Sequence, residues 1–180
     1  MALVSGAVRV AGTGEAYFAA EGATAPTNAT SSLDAAFKGL GYTDPDGLSF
    51  TFSRNTSDID AWQGSKLRVL TNAEPVSVTL KLMETKTDVL LFAFGGGTVV
   101  SGVFTPPEEG VNAVRAFVVD FTDNTTKYRY YFPRTQVAGD VSFQLARTSG
   151  VAYDLTVGVL ANSPKWKLFT NDTTNLTTGS

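Results

Sequence analysis

Apolar and polar residues alternate through most of this chain. In residues 48–54, LSFTFSR, Leu48, Phe50 and Phe52 fall on one side and Ser49, Thr51 and Ser53 on the other. Residues 76–84, VSVTLKLME, repeat the pattern, with Val76, Val78, Leu80 and Leu82 set against Ser77, Thr79, Lys81 and Met83. Successive side chains of a strand point to opposite faces, so this period marks strands with one face buried. The polar positions are mostly Ser and Thr, which suit a pleated surface. Residues 113–122 and 127–133 flank Asp123-Asn124-Thr125-Thr126 and are expected to pair as a hairpin. Residues 140–147 and 152–161 flank Thr148-Ser149-Gly150-Val151 and predict a second hairpin, turning at Ser149-Gly150. A short last strand is expected at 165–170.

Residues 85–97, TKTDVLLFAFGGG, break the alternation. Thr85 with Asp88 three residues on resembles a capping box, Asp88 suits the positive end of a helix, and Gly95 supplies a stop. This predicts one flanking helix over about 86–94, packed through Val89, Leu90, Phe92 and Phe94. A buried strand is the alternative for so short an apolar run. Residues 20–32 are small and polar and are expected to form a loose loop or arm, and residues 171–180 a flexible tail. With no repeat and no linker, residues 1–180 are expected to form a single domain. Its predicted class is mainly β, an antiparallel β-sandwich or partial barrel with one helix.

Composition then removes most chemistry. The 180 residues include no cysteine and no histidine. Disulfide frameworks, thiolate or imidazole metal sites and histidine-based catalysis are excluded, leaving Asp, Glu, Lys, Tyr or an oxygen-ligated metal. Fourteen basic residues against 17 acidic ones give a net charge of −3, which does not suit a grip on nucleic acid. No apolar run approaches the ~18 residues of a membrane span. The N-terminus lacks a basic leader region and is read as mature chain. Asn124-Thr125-Thr126 and Asn175-Leu176-Thr177 match the glycosylation triplet, a match expected by chance in a chain rich in Asn and Thr.

The remaining candidates mostly have structural explanations. Gly95-Gly96-Gly97 ends a helix rather than opening one and lacks the Lys-Ser/Thr of a phosphate loop. Asp44-Pro45-Asp46-Gly47 is half a calcium loop without the other ligands, and suits a type I turn. Glu108-Glu109 sit on a Pro-Pro-x-x-Gly loop and do not converge on a substrate, so a glycosidase is set aside. Tyr128, Tyr130, Tyr131 and Phe132, with Arg129 between them, suit packing on a neighbouring strand or subunit, or a stacking platform for sugars. In residues 56–64, TSDIDAWQG, an extended backbone would put Asp58, Asp60 and Trp62 on one face. An interface edge, a solvated loop and a sugar site all remain open for that stretch. No catalytic residue, cofactor or metal is expected.

The run from Gly39 to Gly95 resembles the major tail proteins, or tail tube subunits, of phages with long non-contractile tails. Gly39, Gly41, Tyr42, Asp46 and Gly47 come first, followed by Ser53, Arg54, Thr56, Ile59, Ala61 and Trp62. Arg68 and Val69 follow, then Leu82, Glu84 and Thr85, then Val89, Leu90, Phe94 and Gly95. The resemblance implies a structural virion protein, not an enzyme, assembled in the host cytoplasm and located in the tail. It implies stacked, hexameric rings that form a hollow tube, with strands of neighbouring subunits joined in one inner barrel. DNA would pass through the lumen without specific binding, where a mildly acidic wall avoids trapping it. The implied partners are the protein itself and the tape measure, tail terminator and distal tail proteins, with no membrane. On this reading the segment 55–66 meets another subunit through Arg54, Asp58, Asp60, Trp62, Gln63 and Lys66. A carbohydrate-binding β-sandwich using Trp62 and the Tyr128–Tyr131 run is the alternative.

Overall fold

The alternating segments become strands, and every strand pairing is antiparallel. The computed structural model describes residues 7–54, 56–60, 66–71 and 75–176. In chain order the strands are β1 (Thr13–Ala20), β2 (Lys38–Gly39), β3 (Thr43–Phe52), β4 (Thr56–Asp60), β5 (Lys66–Thr71) and β6 (Val76–Leu82). The helix α1 (Thr87–Ala93) follows, then β7 (Thr98–Val100), β8 (Val103–Thr105), β9 (Arg115–Asp123), β10 (Thr126–Phe143), β11 (Tyr153–Val159) and β12 (Lys167–Thr170). The main sheet runs β2-β1-β9-β10-β11-β6-β3, with β12 also on β10, while β4-β5 and β7-β8 are separate two-stranded ribbons.

One strand organises this sheet. The first half of β10 pairs with β9 and β12, and its second half pairs with β11. Register shifts fall between Phe132 and Thr135, where Pro133 has no N–H for the ladder, and between Ala138 and Ser142. Such irregularities bend a strand, so β10 passes from one layer into the other. Residues 127–133 and 140–143, expected in two separate strands, therefore belong to one strand of 18 residues, and 144–147 lie beyond its end. The second hairpin also turns earlier than expected. Ala146 bridges Ser149, which puts Arg147-Thr148 at its tip.

The apolar faces of the two layers meet in one core. Phe18, Phe117, Val119 and Phe132 come from one layer, and Val78, Leu80, Leu82, Leu155 and Val157 from the other. Strand β6 is buried at every second residue, as its alternation requires. Helix α1 closes this core with Val89, Phe92 and Ala93, while Leu90 and Phe94 pack against it half-buried. The Phe92 ring lies 5.1 Å from Phe18 and 5.6 Å from Phe117. The buried-strand alternative for this segment is excluded. Its expected capping box is not made: the N-cap is Lys86, without a side-chain cap, and Thr85 Oγ1 lies 3.2 Å from the Tyr153 hydroxyl.

A second apolar cluster lies on the other face of β1, β9 and β10. Ala19, Ala116, Val118 and Tyr131 pack there against Phe37 and Leu33 of the segment 21–37. Strand β9 consequently has four consecutive buried residues, 116–119. The small, polar loop is the lid over that second face.

Candidate assembly surfaces

Strands β1 and β2 lie at one end of the sheet order and β3 at the other, so the sheet stays open. A groove of about 1300 Å³ runs between these ends. Ala16, Leu48, Phe50, Val119 and Phe121 contribute apolar lining. The groove also contains Glu15, Asp34 and Asp44, whereas Asp120 and Glu84 are occupied by Arg129 and Lys86. Glu84 accepts hydrogen bonds from Lys86 Nζ at 2.8 Å and from the Tyr42 N–H at 2.9 Å, which hold its carboxyl below the ordinary range. The Tyr17 hydroxyl donates to Glu15, and burial together with that bond pushes the phenol up to about 12.

Arg129 fixes the lid. It is 5% exposed and sits on β10 opposite Asp120 of β9. Nε and Nη2 donate to the two Asp120 oxygens at 2.8 and 2.6 Å, and Nη1 donates to the carbonyls of Asn28 and Ser31 at 3.0 and 2.8 Å. One guanidinium thereby joins an ion pair to the bend at Asn28–Ser31 in the segment 21–37.

A second cluster ties both terminal segments to the β9–β10 hairpin. Arg9 Nε donates to the Tyr128 hydroxyl at 2.7 Å, and Arg9 also pairs with Asp172. The Tyr128 hydroxyl donates to Asp172 Oδ2 at 3.0 Å, and Asn175 donates to Asp172 from both its backbone and its side chain. The Arg9 and Asn175 bonds depress the Asp172 carboxyl well below its ordinary range. The tail around 172 is therefore anchored.

The sites expected from sequence are distributed as follows. Arg54 is exposed just beyond β3. Residues 56–60, within the segment 55–66, form strand β4 rather than a plain loop and pair with β5, with Asp58 opposite Val69 and Asp60 opposite Lys66. Trp62 and Gln63 lie outside the described residues. Tyr128 and Tyr131 are buried, and Tyr130 packs half-buried against the core, so this strand presents no stacking platform. Asp44–Gly47, expected as a turn, lie inside β3 at its register shift between Thr43 and Leu48, a local irregularity in which Asp44 Oδ1 accepts from the Asp46 N–H at 3.0 Å. Glu108 and Glu109 are exposed. Among the described residues no three acidic side chains are gathered to hold a metal.

Two features escaped the sequence reading. The Arg9–Tyr128–Asp172 cluster joins Arg9 to residues 119 and 163 positions away and leaves no local signal. Arg129 does leave one, as a lone charge inside the aromatic run 128–132 that needs a partner if the strand is buried.

A family model described as phage tail tube protein matches residues 1–178. No curated protein matches this sequence significantly. One matching solved chain comes from the tail of an empty GTA particle computed with helical refinement in C6 symmetry. It is 12% identical, the match covers 71% of this chain and 84% of that chain, and the TM-score is 0.42.

Proposed function

Because this chain belongs to the phage tail tube protein family, we propose that it is the repeating subunit of a hollow tail tube, stacked as hexameric rings through which DNA is ejected. The family match over nearly the whole chain carries this reading. The open sheet supports it: β3 has no strand on its outer side among the described residues, and β1 has one only at Tyr17 and Phe18. Unpaired edges invite pairing with another chain, and ring closure gives them a partner. The net charge of −3 suits a wall past which a phosphate backbone slides. The subunit functions in the virion tail after assembly in the host cytoplasm, meeting copies of itself and, at the tube's ends and interior, terminator, distal tail and tape measure proteins.

Within this reading the segment 55–66 makes a subunit contact through Asp58, Asp60, Trp62, Gln63 and Lys66, with the adjoining Arg54. Electron microscopy of the purified protein tests the whole proposal. Hollow tubes or rings with sixfold averages are expected; solid fibres, or rings of another symmetry, refute it. For this segment, Trp62→Ala with Asp58→Ala should impair assembly, and normal tubes at unchanged protein concentration would remove it as a main contact. A lumen of positive potential would refute the charge argument.

A further inference from the structure

The hairpin between β10 and β11 carries apolar side chains into solvent. Phe143 is 49% and Leu145 75% exposed, and all of residues 142–150 are exposed. Beyond the Phe143–Tyr153 pair the hairpin is closed by the single Ala146–Ser149 bridge. Arg147 is the one charged residue between Asp140 and Asp154, so the tip is apolar with a positive point.

The groove between β1 and β3 has the complementary properties. Its accessible apolar lining is Leu48, Phe50 and Phe121, all half-buried, above the buried Ala16 and Val119. Glu15, Asp34 and Asp44 make no ion pair among the described residues, against one such lysine, Lys127. Among the described residues, the outer side of β3, and of β1 before Ala16, whose carbonyl accepts from the Leu40 N–H, leaves backbone donors and acceptors for an extended segment.

We infer that the β10–β11 tip of one copy seats in the β1–β3 groove of the next, with Phe143 and Leu145 on the apolar lining and Arg147 among Glu15, Asp34 and Asp44. The inference rests on the tail tube reading and gives it a specific contact. Donor and acceptor are different patches of one chain, so every copy uses both. Such a heterologous contact propagates around a ring or along a fibre rather than ending at a dimer. Opposite charges at the rim fix its direction, since two tips or two grooves do not attract.

The chain has no cysteine, so disulfide trapping has no background. Leu145→Cys is mixed, before assembly and oxidation, with each of Thr13→Cys, Ser32→Cys and Tyr42→Cys, all three exposed groove positions. One member of each mixture carries a size tag, so a mixed band joins two chains. At least one groove variant should give a mixed band well above the control pair, Leu145→Cys with Thr24→Cys. Normal tubes without such a band for any of the three overturn the inference and leave the tube reading standing. Failure of the unaltered chain to form rings or tubes under assembling conditions removes both. Arg147→Glu should raise the protein concentration for half-assembly by about tenfold, and Asp44→Arg in the same chain should recover most of it. An unchanged threshold in Arg147→Glu overturns the charged contact.

Discussion

Replacing Arg129 with methionine removes the guanidinium that holds the lid over β1 and β9. The substitution keeps an unbranched chain of similar length but deletes all four hydrogen bonds, two to Asp120 and two to the Asn28 and Ser31 carbonyls. Summing those bonds would overstate the effect, because each replaces a bond to water. The larger cost is the carboxylate left behind. Breaking a buried ion pair from one side costs about 3–5 kcal/mol. The Asp120 side chain is 26% exposed, so water reclaims part of that cost, and the expected loss is about 3 kcal/mol. For a domain of this size that corresponds to a fall in Tm of about 6–12 °C. Thermal unfolding followed by circular dichroism reads the fall, and limited proteolysis should show earlier cleavage within residues 21–37. Asp120→Asn alone removes the charge that Arg129 answers, and the double variant should lose less than the two single losses combined. A Tm within about 3 °C of the parent, with unchanged cleavage, would refute the view that this arginine fixes the lid.

Other outcomes follow from the same contacts. Phe132 is fully buried, with the rings of Phe50 and Phe117 at 6.1 and 6.2 Å, so Phe132→Ala should cost about 3–5 kcal/mol in denaturant unfolding. Gly97 has φ +100°, and a Cβ there would meet the Thr105 carbonyl oxygen at 2.5 Å, whereas Gly102, at φ +80°, has open space around it. Gly97→Ala should therefore cost at least about 2 kcal/mol and Gly102→Ala about 1 kcal/mol. The Asp172 carboxyl is depressed in the folded chain, so the unfolded chain binds the proton first and stability rises with pH. Its contribution is complete above the ordinary carboxylate pKa of about 4 and is lost as pH falls below it. Asp172→Asn should thus show a shallower fall of Tm with acidification than the parent, and equal slopes would refute the clasp.

The strands were legible wherever one face is buried and the other wet. Residues 76–82 show this most clearly, because alternation in sequence maps directly onto alternation in burial. The helix was legible from its apolar run and glycine stop, but not its cap, because the Thr85 hydroxyl finds Tyr153, a partner 68 residues away. The joining of two expected strands into β10 was hidden by Pro133. Proline ordinarily ends pairing, and here a register shift absorbs it. Strand β4 at 56–60 falls in the segment 55–66, where Asp58 and Asp60 are poor strand residues and favour a loop; pairing with 66–71 overrides that preference.

The sequence by itself determined the class of the protein. Alternation dictates antiparallel strands, and the lack of histidine and cysteine excludes imidazole and thiolate chemistry. The ordered motifs from Gly39 to Gly95 point to the tail tube family. All of these are local or compositional properties, readable without knowing which residues meet. The tertiary structure decided what covers what. The segment 21–37 becomes a lid only because Arg129 finds Asp120 beside it and two loop carbonyls above it. The terminal segments are held only because Arg9, Tyr128 and Asp172 converge. The groove exists only because the sheet stops short of closing on itself. Each depends on residues distant in sequence, and no local pattern encodes distance in space.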